Sequence, residues 1–180
     1  MEPDSLYQPH HWHLEKNVVH LNHGSFGACP IRILEEQREW RQKMESNTLR
    51  FFEEELPELL ERSREALGTF LGTPASGLVF VDNATTGVST VLSNMDLAGG
   101  DRILVTDHGY NACTNAARYF SGRVGGQVDL VNLPFPNFDS NEIVARILEA
   151  CTARTRILLV DHVTSATGLI MPLGKIIPAV

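Results

Sequence analysis

Cysteine is scarce in this chain, and the three present, Cys29, Cys113 and Cys151, are odd in number and far apart. That pattern excludes a disulfide framework and any CxxC metal motif, and it points to a reducing compartment. No apolar run reaches membrane-spanning length, and Met1-Glu2-Pro3-Asp4 does not open a signal peptide. A cytoplasmic protein is expected. There is no basic excess either: the net charge of −7 argues against general binding to nucleic acid or anionic membrane, while leaving room for a local phosphate site. Neither a G-x-G-x-x-G fingerprint nor a Walker A sequence occurs, which points away from NAD and ATP. With 43% hydrophobic and 21% charged residues, the remaining expectation is a globular chain with one sizeable core and at most a small appendage.

The most informative stretch runs from Leu78 to Met95. Leu78–Val81 is a short apolar run with the profile of a buried strand, and the spacing of Val88, Val91, Leu92 and Met95 predicts one face of a helix. Between them, Asn83 is a natural N-cap followed by Ala84, Thr85, Thr86 and Gly87. A helix start of this kind presents unpaired N–H groups and the positive dipole end together, and so attracts phosphate. Taken alone it is also what any well-capped strand-to-helix turn looks like.

Before this stretch come a polar and aromatic arm over 1–19, an expected strand at Val18–Leu21, and the glycine-containing segment Asn22–Gly27. Two helices follow, over about 30–46 and 57–71, the second stopped by Gly72. His10, His11 and His13 lack a Cys or carboxylate at ligand spacing, so no metal site is expected there. Arg50 falls in the join between the helices, either as an ordinary surface charge or free to meet a carboxylate. After Leu78 the pattern becomes a regular alternation: strands at 102–106, about 128–133 and 156–161, and helices from about 111, from the capping pattern Asp139–Glu142, and from Pro172. Such units imply an α/β fold, a mainly parallel sheet with helices on both faces. Residues 1–72 form the arm and helices and 73–180 the first part of the α/β domain.

Polar residues collect at the same end of each strand: Asn83, Thr85 and Thr86; Asp107, His108, Tyr110 and Asn111; His162, Thr164, Ser165, Thr167 and Gly168. Ligands of open α/β sheets bind at that end. His108 and Tyr110 are the better candidates for chemistry, whereas His162, continuing an apolar strand, reads as structural.

The segments LNHGSFGACP (21–30), NATTGVSTV (83–91), DHGYNA (107–112) and TRILLVDHVTSATGLIMPL (155–173) together resemble the N-terminal half of the class V aminotransferase family. These are pyridoxal-5′-phosphate (PLP) enzymes of fold type I, and the likeness runs toward isopenicillin N epimerase-like and carbon–sulfur lyase-like members. The resemblance implies that Ala84, Thr85 and Thr86 hold the cofactor phosphate and that His108 stacks on its ring. It makes Tyr110 a rival for stacking or for acid–base work, places Ser165 near the phenolic oxygen, and brings Asn22, His23 and Gly24 to the substrate. Ser165 stands where desulfurases have asparagine, which favours the epimerase-like branch. The resemblance further implies an amino-acid substrate and a homodimer. It places the Schiff-base lysine and the acid that pairs with the pyridine nitrogen beyond Val180. Asp161 is not that acid, since it ends the preceding strand, and none of Lys16, Lys43 or Lys175 follows a strand end of the site. Two other readings stand beside this one: a non-catalytic module of the same fold serving dimerisation or regulation, and an unrelated phosphate-binding α/β domain.

Overall fold

The computed structural model describes residues 9–137 and 139–180; the start of the expected arm, residues 1–8, lies outside the described residues. Two compact units are present, Met1–Val79 and Phe80–Val180.

The first unit is helical. A one-turn helix α1 (His23–Phe26) precedes α2 (Ile31–Ser46), a short α3 (Thr48–Arg50), a π-helical turn over Phe51–Glu55, and α4 (Leu56–Leu71). Asn22 caps α1 by accepting from the Ser25 N–H at 3.3 Å, so the glycine-containing segment folds as one helical turn. Gly27 is required there, because a Cβ at that position would sit 2.7 Å from the His23 carbonyl oxygen. Pro30 opens α2, and Gly72, at φ +68°, closes α4 in the left-handed conformation that glycine adopts without penalty. Arg50 is not free. Its Nε donates to Glu55 at 3.0 Å, and Lys43 of α2 reaches the other carboxylate oxygen at 2.6 Å. The Lys43 hydrogen bond foremost, with both positive charges, holds the Glu55 carboxyl below its usual range. The cation pair thus pins the π turn against α2.

The second unit is the α/β layer: α5 (Ala84–Asn94), β1 (Arg102–Thr106), α6 (Asn111–Arg123), β2 (Gln127–Val131), α7 (Ser140–Ala150), β3 (Thr155–Leu159) and α8 (Leu173–Ala179). All strand pairs are parallel, in the order β2-β1-β3. Alternation along β1 sends Ile103 and Val105 to one face, where they pack with Leu92 of α5 and Ala117 of α6. Leu104 points to the other, with Ile143 and Ile147 of α7 and Ile176 of α8. The chain leaves β1 for β2 through α6 on the first face and returns past β1 to β3 through α7 on the second. Reversing direction while keeping one crossover hand requires this change of face.

Two expected strands do not form. Val18–Leu21 is irregular, with Val19 82% and Leu21 87% exposed. Leu78 is extended, but Leu78–Val81 joins no strand among the described residues, and Val79 is 84% exposed. Apolar alternation describes a strand's faces, whereas the strand itself exists only through a partner's hydrogen bonds. The α5 stripe is likewise narrower than its spacing implied: Leu92 and Val88 pack inward, while Val91 is 62% and Met95 42% exposed.

At the start of the sheet Arg102 grips Asp129 on β2 through two of its guanidinium nitrogens, Nε and Nη2. That hydrogen bond, more than the Arg102 charge, holds the Asp129 carboxyl below the ordinary range. A depressed folded-state pKa contributes stability that is present above the unfolded value, near 4, and lost as pH falls through the folded one. Asp129→Asn should therefore lower the urea midpoint at neutral pH, and its gap from wild type should close in acid. A gap that persists unchanged at low pH would refute the pairing.

Candidate active site

After β1 the connection turns toward α6 on one face; after β3 it continues toward α8 on the other. Adjacent strands whose outgoing connections part in this way leave a crevice at their carboxyl ends, the place where open α/β sheets bind ligands.

The residues Asp107–Tyr110 form the centre of that crevice, and each is held by a different neighbour. The Asp107 N–H donates to the Val131 carbonyl, while its Oδ1 accepts from Leu133 N–H, both at 3.0 Å. These bonds latch the end of β1 to the segment leaving β2. His108, 9% exposed, has its Nδ1 2.8 Å from Thr167 Oγ1, beyond β3. Its ring lies 5.6 Å from that of Phe135, in the connection after β2. Gly109 donates to the Thr106 carbonyl at 3.0 Å, and a Cβ on it would come within 3.1 Å of the same oxygen. The Tyr110 N–H donates to Asp161 Oδ2 at 3.0 Å. Asp161 thus caps α6 from a neighbouring connection, in place of the side-chain cap that Tyr110 does not supply. One tetrapeptide therefore joins all three strand ends.

Beyond β3 the chain folds into a tight hairpin with a bridge between Val163 and Ile170. Gly168, at φ +66°, turns it, and the buried Thr164 side chain accepts from the Leu169 N–H at 2.9 Å. Ser165 lies exposed in this hairpin. His162 is exposed as well, rather than packed as the continuing strand implied, because β3 already ends at Leu159. Cys113 is buried in α6, where burial foremost, then the Asp161 charge, pushes its thiol up, away from the nucleophilic thiolate form.

At the start of α5, Asn83 Oδ1 accepts from Thr86 N–H at 2.9 Å, and the Asn83 carbonyl takes the Gly87 N–H. The N–H groups of Ala84 and Thr85 have no acceptor among the described residues. No acidic side chain occupies this first turn, in contrast to α7, where Asp139 caps and Glu142 follows. The far ends of α5 and α6 share one cavity, lined by Leu92, Ser93, Met95, Phe120, Arg123 and Val124. The two helices therefore run in the same direction, and Ala84 lies toward the end of the layer where β1 finishes and α6 begins. Thr85 is half-buried, and Ala84 and Thr86 are exposed. Donors without an acid, at the ligand-binding end of a sheet, are a donor set suited to a phosphate.

The three remaining candidates belong to the first unit. Asn22 caps α1, the His23 ring lies 4.5 Å edge-on to that of His20, and Gly24 is exposed. Phe135 was not singled out by sequence, Thr167 appeared only as one of the polar residues after the third strand, and Asp161 only as an acid set aside. Thr167 and Asp161 stood beside the chosen residues, but only the folded loops reveal whom they touch.

A model of the Aminotransferase class-V family matches residues 28–180, and the chain belongs to that family. Among curated proteins it is 31% identical to "Probable L-cysteine desulfhydrase, chloroplastic" of Arabidopsis thaliana, a match covering 92% of this chain and 38% of that protein. It is also 31% identical to isopenicillin N epimerase of Streptomyces clavuligerus, covering 91% of this chain and 41% of that one. The chain thus spans about two-fifths of the length of these relatives. Among solved structures it superposes on a C-DES mutant carrying glycine covalently linked to its PLP cofactor. The TM-score is 0.87 at 22% identity, covering 96% of this chain and 45% of that one. That likeness establishes the fold-type-I architecture.

Proposed function

We propose that this chain forms the phosphate- and ring-binding part of a PLP-dependent enzyme acting on an amino acid, with carbon–sulfur bond cleavage as the leading reaction. The observation that carries the proposal is the convergence of His108, Tyr110, Asp161 and Thr167 at the crevice between β1 and β3, in a chain of this family. When bound, PLP supplies an electron sink for a bond broken at the substrate's Cα. The protein's part is to orient and to shield. The first-turn N–H groups and hydroxyls of Ala84, Thr85 and Thr86 would hold the phosphate, and the His108 ring, immobilised from two sides, would pack on the pyridine. Tyr110, 48% exposed and fixed through its backbone by Asp161, presents a phenol able to carry a proton. Ser165 would donate toward the phenolic oxygen, and Asn22, His23 and Gly24 would meet the substrate. Epimerisation is the second reading, favoured by Ser165 in place of asparagine and by the likeness to isopenicillin N epimerase.

The test is to titrate the cofactor-free protein with PLP and then add L-cysteine, L-cystine or other L-amino acids. This chain alone should bind PLP weakly and reversibly; in a longer chain that also supplies the Schiff-base lysine, a visible absorbance band followed by sulfide release is expected, and enantiomer exchange without sulfide selects the second reading. Absence of any PLP binding sinks both.

The proposed assembly is a cytoplasmic homodimer with α2 and residues 21–30 near its interface. Supporting this, Ile33 is 50% and Trp40 37% exposed on α2, and Leu21 and Phe26 are more exposed still. Light scattering of the full-length protein should give twice its chain mass, and a monomer at high concentration would refute it.

A further inference from the structure

Resting on the reading of His108 as the ring-packing residue, we propose that Thr167 is its positioning residue. The hydrogen bond from Thr167 fixes the imidazole in one orientation and one tautomer, with the hydrogen on Nε2. The direction is read from the far side of the ring. Asp107 Oδ1 lies 3.8 Å from Nε2, beyond hydrogen-bond length but of the sign that favours N–H there, which in a neutral ring leaves Nδ1 as the acceptor. Thr167 Oγ1, 2.8 Å from Nδ1, then donates its hydrogen to the ring. The Thr167 oxygen accepts in turn from Thr164 Oγ1 at 2.8 Å, a contact in which either hydroxyl could donate. Thr164 itself accepts from the Leu169 N–H at 2.9 Å.

The chain is well placed to act as an orienter. Thr164 is 2% and His108 9% exposed, so water does not compete freely for these bonds. Gly168 at φ +66° and the Leu169 N–H hold the hairpin from the other side, which makes Thr167 a fixed post rather than a rotating surface hydroxyl. A ring tied at Nδ1 cannot flip to exchange its nitrogens without breaking that bond.

The experiment records long-range proton–nitrogen correlation spectra of the cofactor-free protein labelled at histidine. His108→Gln identifies the His108 signals among the seven histidines. Wild type should show the Nε2–H pattern, with a bare Nδ1. Thr167→Val, close in shape but without the hydroxyl, should lose that pattern, the two ring-nitrogen shifts moving toward each other as tautomers mix; Thr167→Ser should restore it. An Nδ1–H pattern in wild type overturns the proposal, and so does an unchanged His108 pattern in Thr167→Val. The wild-type spectrum decides by itself should the valine variant fail to fold. A parallel PLP titration of wild type keeps the two readings apart. Failure to bind PLP sinks the proposed function while the tautomer result still stands or falls on the spectra.

Discussion

Replacing Ala84 by aspartate is expected to weaken PLP binding by about 100-fold, or roughly 2.7 kcal/mol, while leaving the fold as stable as before or slightly more so. The opposite signs are what make the variant informative. Ala84 is exposed in the first turn of α5, where no acid is present. A carboxylate there complements the helix dipole, worth roughly 0.3–1 kcal/mol. The same carboxylate would face the cofactor phosphate across a few ångströms, where like charges near a protein surface repel by up to several kcal/mol. Ala84→Asn, of the same shape without the charge, is the control. Fluorescence titration with PLP and urea unfolding of all three proteins give both quantities. Equal PLP affinities in the aspartate and asparagine variants would show that the phosphate is bound elsewhere.

Truncating Ile147 should have the largest effect on stability. It is fully buried in α7, in one cluster with Leu104, Val131, Ile143, Met171 and Ile176. Ile147→Ala removes apolar atoms from contact with both the sheet and α8 and leaves a cavity, a combination that costs about 2–5 kcal/mol. For a single domain layer that is a large share of total stability. Leu148, its neighbour on the same helix, is 40% exposed, and Leu148→Ala should shift the denaturation midpoint far less. Similar losses from both would mean that α7 does not seat as described.

What could be read in the sequence was local. Pro30, Gly72 and Asp139 are start and stop signals that act on their own helices, and α2, α4 and α7 begin or end at them. β1, β2 and β3 are apolar runs flanked by partners a short crossover away, and all three form. Val18–Leu21 and Leu78–Val81 carry the same signal without a partner strand among the described residues, and they stay unpaired. The site divides in the same way. The cap at Asn83 and the cluster Asp107–Tyr110 were visible as residue types at strand ends. That Asp107 serves β2, that Tyr110 leans on Asp161, and that His108 answers to Thr167 were not visible, because a hydrogen bond across 51 or 59 residues leaves no periodicity behind.

The way Asp107–Tyr110 is held also bears on how such proteins can be re-engineered. Loop grafting between relatives assumes that one connection can be exchanged while its neighbours stay put. Here the connection after β3, hairpin included, supplies both the hydroxyl that holds His108 and the carboxylate that holds Tyr110. A hairpin transplanted without Asp161 and Thr167 would arrive with its own fold intact and release the turn after β1. The workable unit of exchange is therefore a pair of loops from strands that are neighbours in the sheet but distant in sequence.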